Sequence, residues 1–312
     1  MDGPEGGGLE GFEGFETFDL DVGPATIHGV RSRAGEAERE AVLLLHGFPQ
    51  SHVMWHRVAP ALAATGRPVV ASDLRGYGDS SRPDAGADHG GYSFRAMAAD
   101  QVAVMRALGF DRFAVVAHDR GARTAHRLTL DHPGSVSRLV LMDILPTAYV
   151  YSHVDRRLAS AYYHWFFFIQ PYDLPERLIG GDPAYYLRSL LGAWGSGLER
   201  HHPAAMAEYE RCFADPGARH AMMEDYRAGA SLDLRHDAAS EAAGQRIEAP
   251  TLVLWGADGT VGRNPEHPLE VWRRLAADPA TMTGEAIAGA GHFLAEDAPE
   301  ATLAAVLRFL GG

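Results

Sequence analysis

Short apolar runs recur along the chain, and between them apolar residues return every three or four positions. The runs at residues 41–45 (AVLLL), 68–71 (PVVA), 113–117 (FAVVA), 138–142 (RLVLM) and 251–255 (TLVLW) have no polar alternation. An unbroken apolar run of this length fits a strand buried on both faces. The intervening pattern is helical. Ser93 is placed to cap a stretch in which Phe94, Met97, Ala98, Val102, Met105 and Leu108 share a face, and Gly109 closes it. Residues 121–130 predict another helix, stopped near Pro133, and residues 298–310 a last amphipathic one. Strands alternating with helices predict an α/β domain, a mostly parallel sheet flanked by helices.

The alternation lapses between residues 145 and 249, a stretch dense in aromatics and helix formers. It is too long for a loop. The pattern predicts a helical cap over residues 147–245, inserted after the strand ending at Met142, with the core domain formed by residues 18–146 and 246–312. No internal repeat is present.

Composition narrows the class. The chain has 312 residues, 46% of them hydrophobic, enough for one full core plus an insertion. Cys212 is the single cysteine, so no intrachain disulfide forms. Residues 1–17 contain Asp2, Glu5, Glu10, Glu13 and Glu16 with no basic residue, the opposite of a secretory signal, and are expected to be a disordered acidic tail. No apolar run is long enough to span a bilayer, so a soluble, cytoplasmic protein without membrane contact is expected. A net charge of -13 argues against a nucleic-acid partner. If the substrate is an anion, local arginines must hold it against that field.

The residues that carry chemistry follow the strands. In AHDRG, Ala117 and Gly121 flank Asp119 where a strand runs directly into a helix. Small neighbours are what a sharp nucleophile-bearing elbow requires. Alone, Asp119 would read as a helix cap. HGFP at His46–Pro49 follows the first long strand, where the amide of Phe48 can join that of Arg120 as an oxyanion hole. DLRGYGDS begins at Asp73, and GHF sets His292 before the last helix. An aspartate in place of serine changes the reaction: a carboxylate attacks an sp3 carbon, expels a leaving group and forms an ester on the enzyme, which water then cleaves.

HGFP, DLRGYGDS, the aspartate elbow and GHF resemble the α/β-hydrolase superfamily over nearly everything after about residue 17. The stretches HGFPQSHVMWHRVAP, AHDRGAR, DILPT and HWFFFIQP are similar to the fluoroacetate dehalogenases. The resemblance implies an α/β-hydrolase fold with the cap inserted after the sixth strand. It implies Asp119 as nucleophile and His292 as the base that activates water. Most members place the acid partner of that histidine three residues after the glycine of WG, but here that slot holds Gly259, with Asp258 one residue early. Fluoroacetate dehalogenases place it where this chain has Asp143, which is therefore expected to orient His292. Arg120 and Arg123 lie on neighbouring helical positions beside the nucleophile, suited to a substrate carboxylate that Asp119 would otherwise repel. His164, Trp165 and Tyr226 are implied as halide donors, and Trp194 as a residue near the substrate entrance. HWFFF would also serve as ordinary aromatic packing.

The expected activity is conversion of a short, anionic 2-haloacid, with fluoroacetate foremost, to the 2-hydroxyacid and halide. No metal, nucleotide or organic cofactor is required. Similar enzymes are commonly homodimers. An epoxide hydrolase would use the same nucleophile and base with two cap tyrosines, and a non-catalytic receptor could keep the fold without turnover.

Overall fold

The structure, a computed structural model, describes residues 11–33 and 39–311. Among these, eight strands form one sheet: β1 (Phe15–Asp21), β2 (Thr26–Ser32), β3 (Val42–Leu45), β4 (Val69–Ser72), β5 (Phe113–His118), β6 (Val136–Met142), β7 (Thr251–Gly256) and β8 (Met282–Ile287). Their order is β1-β2-β4-β3-β5-β6-β7-β8, with β1 and β2 antiparallel to their neighbours and the others parallel. Strands β3, β4, β5 and β7 are buried at every position, which is why their sequences are continuous apolar runs. The edge strands β1 and β8 and the neighbouring β2 are half exposed and carry mixed sequences such as FETFDLD and MTGEAI, so an apolar pattern does not reveal them.

That difference moves one boundary. The acidic tail expected to run to residue 17 gives way to β1 at Phe15, whose backbone pairs with β2 from Phe15↔Ser32 to Asp21↔Thr26. An edge strand exposes one face, so it tolerates the acidic residues that suggested a tail. Residues 1–10 lie outside the described part.

Among the described residues, three α-helices precede the insertion: α1 (Ala59–Ala63), α2 (Phe94–Ala107) and α3 (Asp119–Asp131). Ser93 caps α2 by accepting the Ala96 amide at 3.2 Å, and Gly109 follows its C-terminus at φ +92°. Between β6 and β7 come α4 (Thr147–Ser152), α5 (Arg156–Ala161), α6 (Tyr163–Phe168), α7 (Leu174–Gly180), α8 (Pro183–Trp194), α9 (Pro203–Ala214), α10 (Pro216–Gly229) and α11 (Leu232–Ala242). The Asp-Pro pairs at 182–183 and 215–216 start α8 and α10, the aspartate accepting an amide of the first turn and the proline taking a position that needs no donor. Helix α10 is buried almost throughout and touches α6, α7, α9 and α11, as well as α2 of the core. After β7 the core closes with α12 (Pro268–Arg273), α13 (Leu294–Asp297) and α14 (Pro299–Leu310).

The sheet order fixes where a site can form. Strand β3 pairs with β4 on one side and with β5 on the other, and Leu45 lies opposite Ala117. Chain direction diverges there, so the loops leaving the carboxyl ends of β3 and β5 open a crevice.

Candidate active site

The tip of β5 is the centre of that crevice. Asp119 adopts φ +46°, a left-handed conformation that costs free energy for a residue with a side chain and is tolerated where surrounding packing imposes it. The packing is close. A Cβ on Gly121 would meet the His46 carbonyl oxygen at 2.2 Å, and one on Gly47 would meet Cβ of Asp119 at 2.5 Å and the Arg120 amide nitrogen at 2.7 Å. Glycine at both positions lets the turn after β3 press against the elbow. The Phe48 amide there donates to Oδ1 of Asp119 at 2.9 Å, and the Arg120 amide lies alongside. Burial raises the Asp119 carboxyl, but the charges of His292 and Arg123 outweigh it and hold the group at about 2. It is ionised throughout the neutral range.

His292 sits between β8 and α13, with Nε2 at 3.7 Å from Oδ2 of Asp119 and Nδ1 at 2.6 Å from Oδ2 of Asp143. Asp143 stands at the tip of β6, its other oxygen accepting the Gly256 amide at 3.0 Å. Both carboxylates therefore flank one imidazole. Burial works to lower the histidine, yet the hydrogen bond and charge of Asp143 and the charge of Asp119 raise it above its usual value. Asp258 is exposed and plays no part in this contact.

Asp119, Asp143 and His292 open onto a cavity of about 30 Å³, far below the several hundred Å³ of ordinary ligand sites. Arg123 supplies its cation. Nη1 donates to the Leu145 carbonyl at 2.9 Å and to Oγ1 of Thr147 at 3.0 Å, the guanidinium lies 4.5 Å over the Trp165 ring, and Nε is buried without a partner. His164 and Trp165, adjacent on α6, both line the cavity. Burial lowers His164 well below its usual range, leaving a neutral ring whose Nδ1 has no partner. Trp194 faces His164 with ring centres 4.2 Å apart.

Arg120 and Tyr226 stand differently: neither lines the cavity. Nε of Arg120 donates to Oδ2 of Asp225 at 2.8 Å, and Nη2 donates to Oδ1 and to the carbonyl of the same residue. Tyr77 adds a hydroxyl donor to Asp225 at 2.7 Å. The Tyr226 ring lies beneath the Arg120 guanidinium at 4.2 Å and edge-on to Phe48 at 5.4 Å. Much of Arg120's charge is thus matched inside the protein, which the spacing of Arg120 and Arg123 alone does not reveal.

Three further residues were not assigned to a dehalogenase site. Tyr162 and Thr260 line the cavity, and His118 is fully buried behind Asp119. His118 was legible as part of AHDRG and Tyr162 stands two residues before HWFFFIQP, but Thr260 lies in a stretch without a motif. Among the described residues one group, His28, His52 and Asp73, brings metal-ligating atoms within 4.8 Å of one another, and none of the three lines the cavity. Asp73 directs Oδ1 to the amide and Nδ1 of His52 and Oδ2 to the Asp79 amide, a turn-fixing role.

Comparison with known proteins agrees with this architecture. A family model for the alpha/beta hydrolase fold matches residues 40–299. A fluoroacetate dehalogenase from Burkholderia sp is 44% identical over 300 residues, covering 96% of this chain and 95% of the relative. A soluble epoxide hydrolase from Corynebacterium sp. is 30% identical over 86% of this chain and 89% of its own length. Among solved structures, an alpha/beta hydrolase from Nostoc sp PCC 7120 superposes with a TM-score of 0.90 at 51% identity, over 96% of this chain and 99% of that one.

Proposed function

From the premise that this chain belongs to the α/β-hydrolase family, among the fluoroacetate dehalogenases, we propose that it hydrolyses a short 2-haloacid through an ester on Asp119. The observation that carries the reading is the approach of His292 to Asp119, at 3.7 Å, on a small cavity whose wall also holds Arg123. A carboxylate ionised from about 2 upward, a base beside it and a buried cation opposite are the parts that displacement on an anionic substrate needs.

Arg123 holds the substrate carboxylate, offsetting its repulsion from Asp119 and setting the α-carbon in line for attack. An oxygen of Asp119 bonds to that carbon as the carbon–halogen bond breaks, and the halide leaves with the bonding pair. Charge growing on the halide is met by the neutral ring of His164 and the indole of Trp165, donors that strengthen as the charge builds. Arg120 and Tyr226 act from behind: the guanidinium fixed by Asp225 adds positive potential at the elbow, and Tyr226 packs the floor under it.

In the second half, His292 takes a proton from water, and the hydroxide oxygen bonds to Cγ of Asp119. The Phe48 and Arg120 amides stabilise the resulting oxyanion. Collapse breaks the bond between Cγ and the ester oxygen, the 2-hydroxyacid leaves as its alkoxide and takes a proton back from His292, and the carboxylate is restored. One further proton is released as the regenerated carboxylate ionises. Asp143 keeps the imidazole in the tautomer with Nε2 free and stabilises its charged form.

The resemblance to epoxide hydrolases leaves a second reading. That reaction calls for two cap tyrosines on the substrate, whereas Tyr162 is the tyrosine on this cavity among the described residues, and Arg123 has no part in it. Halide release from chloroacetate against diol formation from styrene oxide separates the two. The primary test is fluoride-electrode measurement on fluoroacetate with wild type, Asp119→Asn and His292→Asn. Wild type should release fluoride continuously, Asp119→Asn none, and His292→Asn one equivalent with a glycolyl ester on the protein. Continued turnover by Asp119→Asn would sink the proposal. The cap also exposes Tyr172, Leu174, Leu178 and Tyr185, and we read them as supporting a homodimer, which sedimentation equilibrium tests.

A further inference from the structure

His292 is held by both of its backbone groups. Its amide donates to the Trp194 carbonyl at the end of α8, 2.7 Å away, and its own carbonyl lies 2.8 Å from Nε2 of His118. A carbonyl only accepts, so Nε2 of His118 carries the hydrogen and donates it. The rings of the two histidines lie 4.6 Å apart, and His118 is completely buried. Burial is the main cause that lowers its pKa to about 3, so the ring is neutral wherever the enzyme would work. Its Nδ1 is buried without a partner, a free-energy cost that an apolar side chain of similar size would avoid.

We propose that His118 is a positioning residue for the hydrolytic half of the reaction: its Nε2–H tethers the His292 loop to the elbow and sets the reach from the imidazole to the ester on Asp119. The inference rests on the function proposed above. His118 is bonded through one peptide to Asp119, so the nucleophile and the base share a short connection of one covalent link and one hydrogen bond. Attack by Asp119 on the substrate does not use His292, so loss of the tether should spare it. Hydrolysis of the ester does use His292, and a shift of about 1 Å in such a group costs on the order of 100-fold.

The test uses fluoroacetate with the full-length protein, following halide release and intact mass after rapid quenching. His118→Leu should release one equivalent of fluoride at close to the wild-type rate, then turn over about 10- to 100-fold more slowly with the ester visible. His118→Gln, whose amide N–H can reach the same carbonyl, should restore hydrolysis to within about threefold. Ester hydrolysis at the wild-type rate in His118→Leu overturns the proposal. So does equal slowing of both phases without an adduct, or no advantage of Gln over Leu. If the Leu variant does not fold, His118→Asn, whose shorter amide falls short of the carbonyl, is compared with Gln by the same split. His292→Asn runs in parallel: absence of an ester there overturns the catalytic reading itself, whereas an ester there but none in His118→Leu or His118→Asn overturns the tether alone.

Discussion

Nε2 of His292 lies 3.7 Å from Asp119 while Nδ1 lies 2.6 Å from Asp143, so one imidazole separates two buried carboxylates. Both negative charges favour the protonated ring, and the pKa of His292 is raised despite burial. A base must be deprotonated to accept from water, so hydrolysis should fall as pH drops through that raised pKa. Formation of the ester should persist, because Asp119 stays ionised down to about 2. Esterification removes one of the two charges, so the ester intermediate should titrate at lower pH than the free enzyme. Where ester hydrolysis limits turnover, the pH profile of kcat should therefore break below the pKa of His292 in the free enzyme, whereas kcat/KM, which ends at ester formation, should show no break from His292. NMR titration of the His292 ring should move to lower pH in Asp119→Asn, and an unchanged titration would count against the pairing.

Isotope labelling follows the oxygen. Water bonds to Cγ of Asp119, not to the substrate carbon, so the hydroxyl oxygen of the product comes from the enzyme in the first turnover. With enzyme in excess in 18O-water, the peptide containing Asp119 should carry the label and the hydroxyacid should not. Label in the product after one turnover would mean direct displacement by water.

The two arginines should separate experimentally. Arg123 faces the cavity, so Arg123→Met should raise KM for chloroacetate by about 10- to 100-fold, the loss of a charge-assisted contact. Arg120 is fixed to Asp225, and both side chains are buried. Arg120→Met leaves that carboxylate without its partner and should cost about 3–5 kcal/mol of stability, measured by urea unfolding. The matched variant pair Arg120→Met with Asp225→Leu should recover part of that loss. Equal effects of the two arginine substitutions on KM with unchanged stability would contradict the division.

These contrasts also mark what a sequence can reveal. Strands β3, β5 and β7 are legible because burial on both faces leaves unbroken apolar runs, while β1, β2 and β8 carry polar residues on exposed faces and do not stand out. The elbow is legible because Ala117, Asp119 and Gly121 are neighbours. Asp143 was implied by the resemblance, with the usual slot empty at Gly259, although it meets His292 across 149 residues. Asp225 was not found, since nothing local to α10 signals a pairing with Arg120 across 105 residues. The bond from His118 to His292 ends on a backbone carbonyl, which every residue possesses and no motif can advertise.

Gly121 offers the sharpest check on the elbow itself. It has no need of a left-handed backbone: its constraint is the approach of β3, since an added Cβ would lie 2.2 Å from the His46 carbonyl oxygen and 2.8 Å from the Leu45 carbonyl carbon. Backbone atoms at the end of a strand paired on both sides, and in the turn that leaves it, cannot move aside as a flexible side chain can. Gly121→Ala should therefore destabilise the fold by about 1–3 kcal/mol and displace Asp119 from the Phe48 amide, lowering halide release as well as stability. Gly134→Ala is the control. A Cβ there meets nothing within 4 Å and the backbone is not left-handed, so that variant should be neutral or more stable by about 0.4–1 kcal/mol through a stiffer unfolded chain. Equal unfolding midpoints for the two variants would show that the turn after β3 does not press on the nucleophile as described.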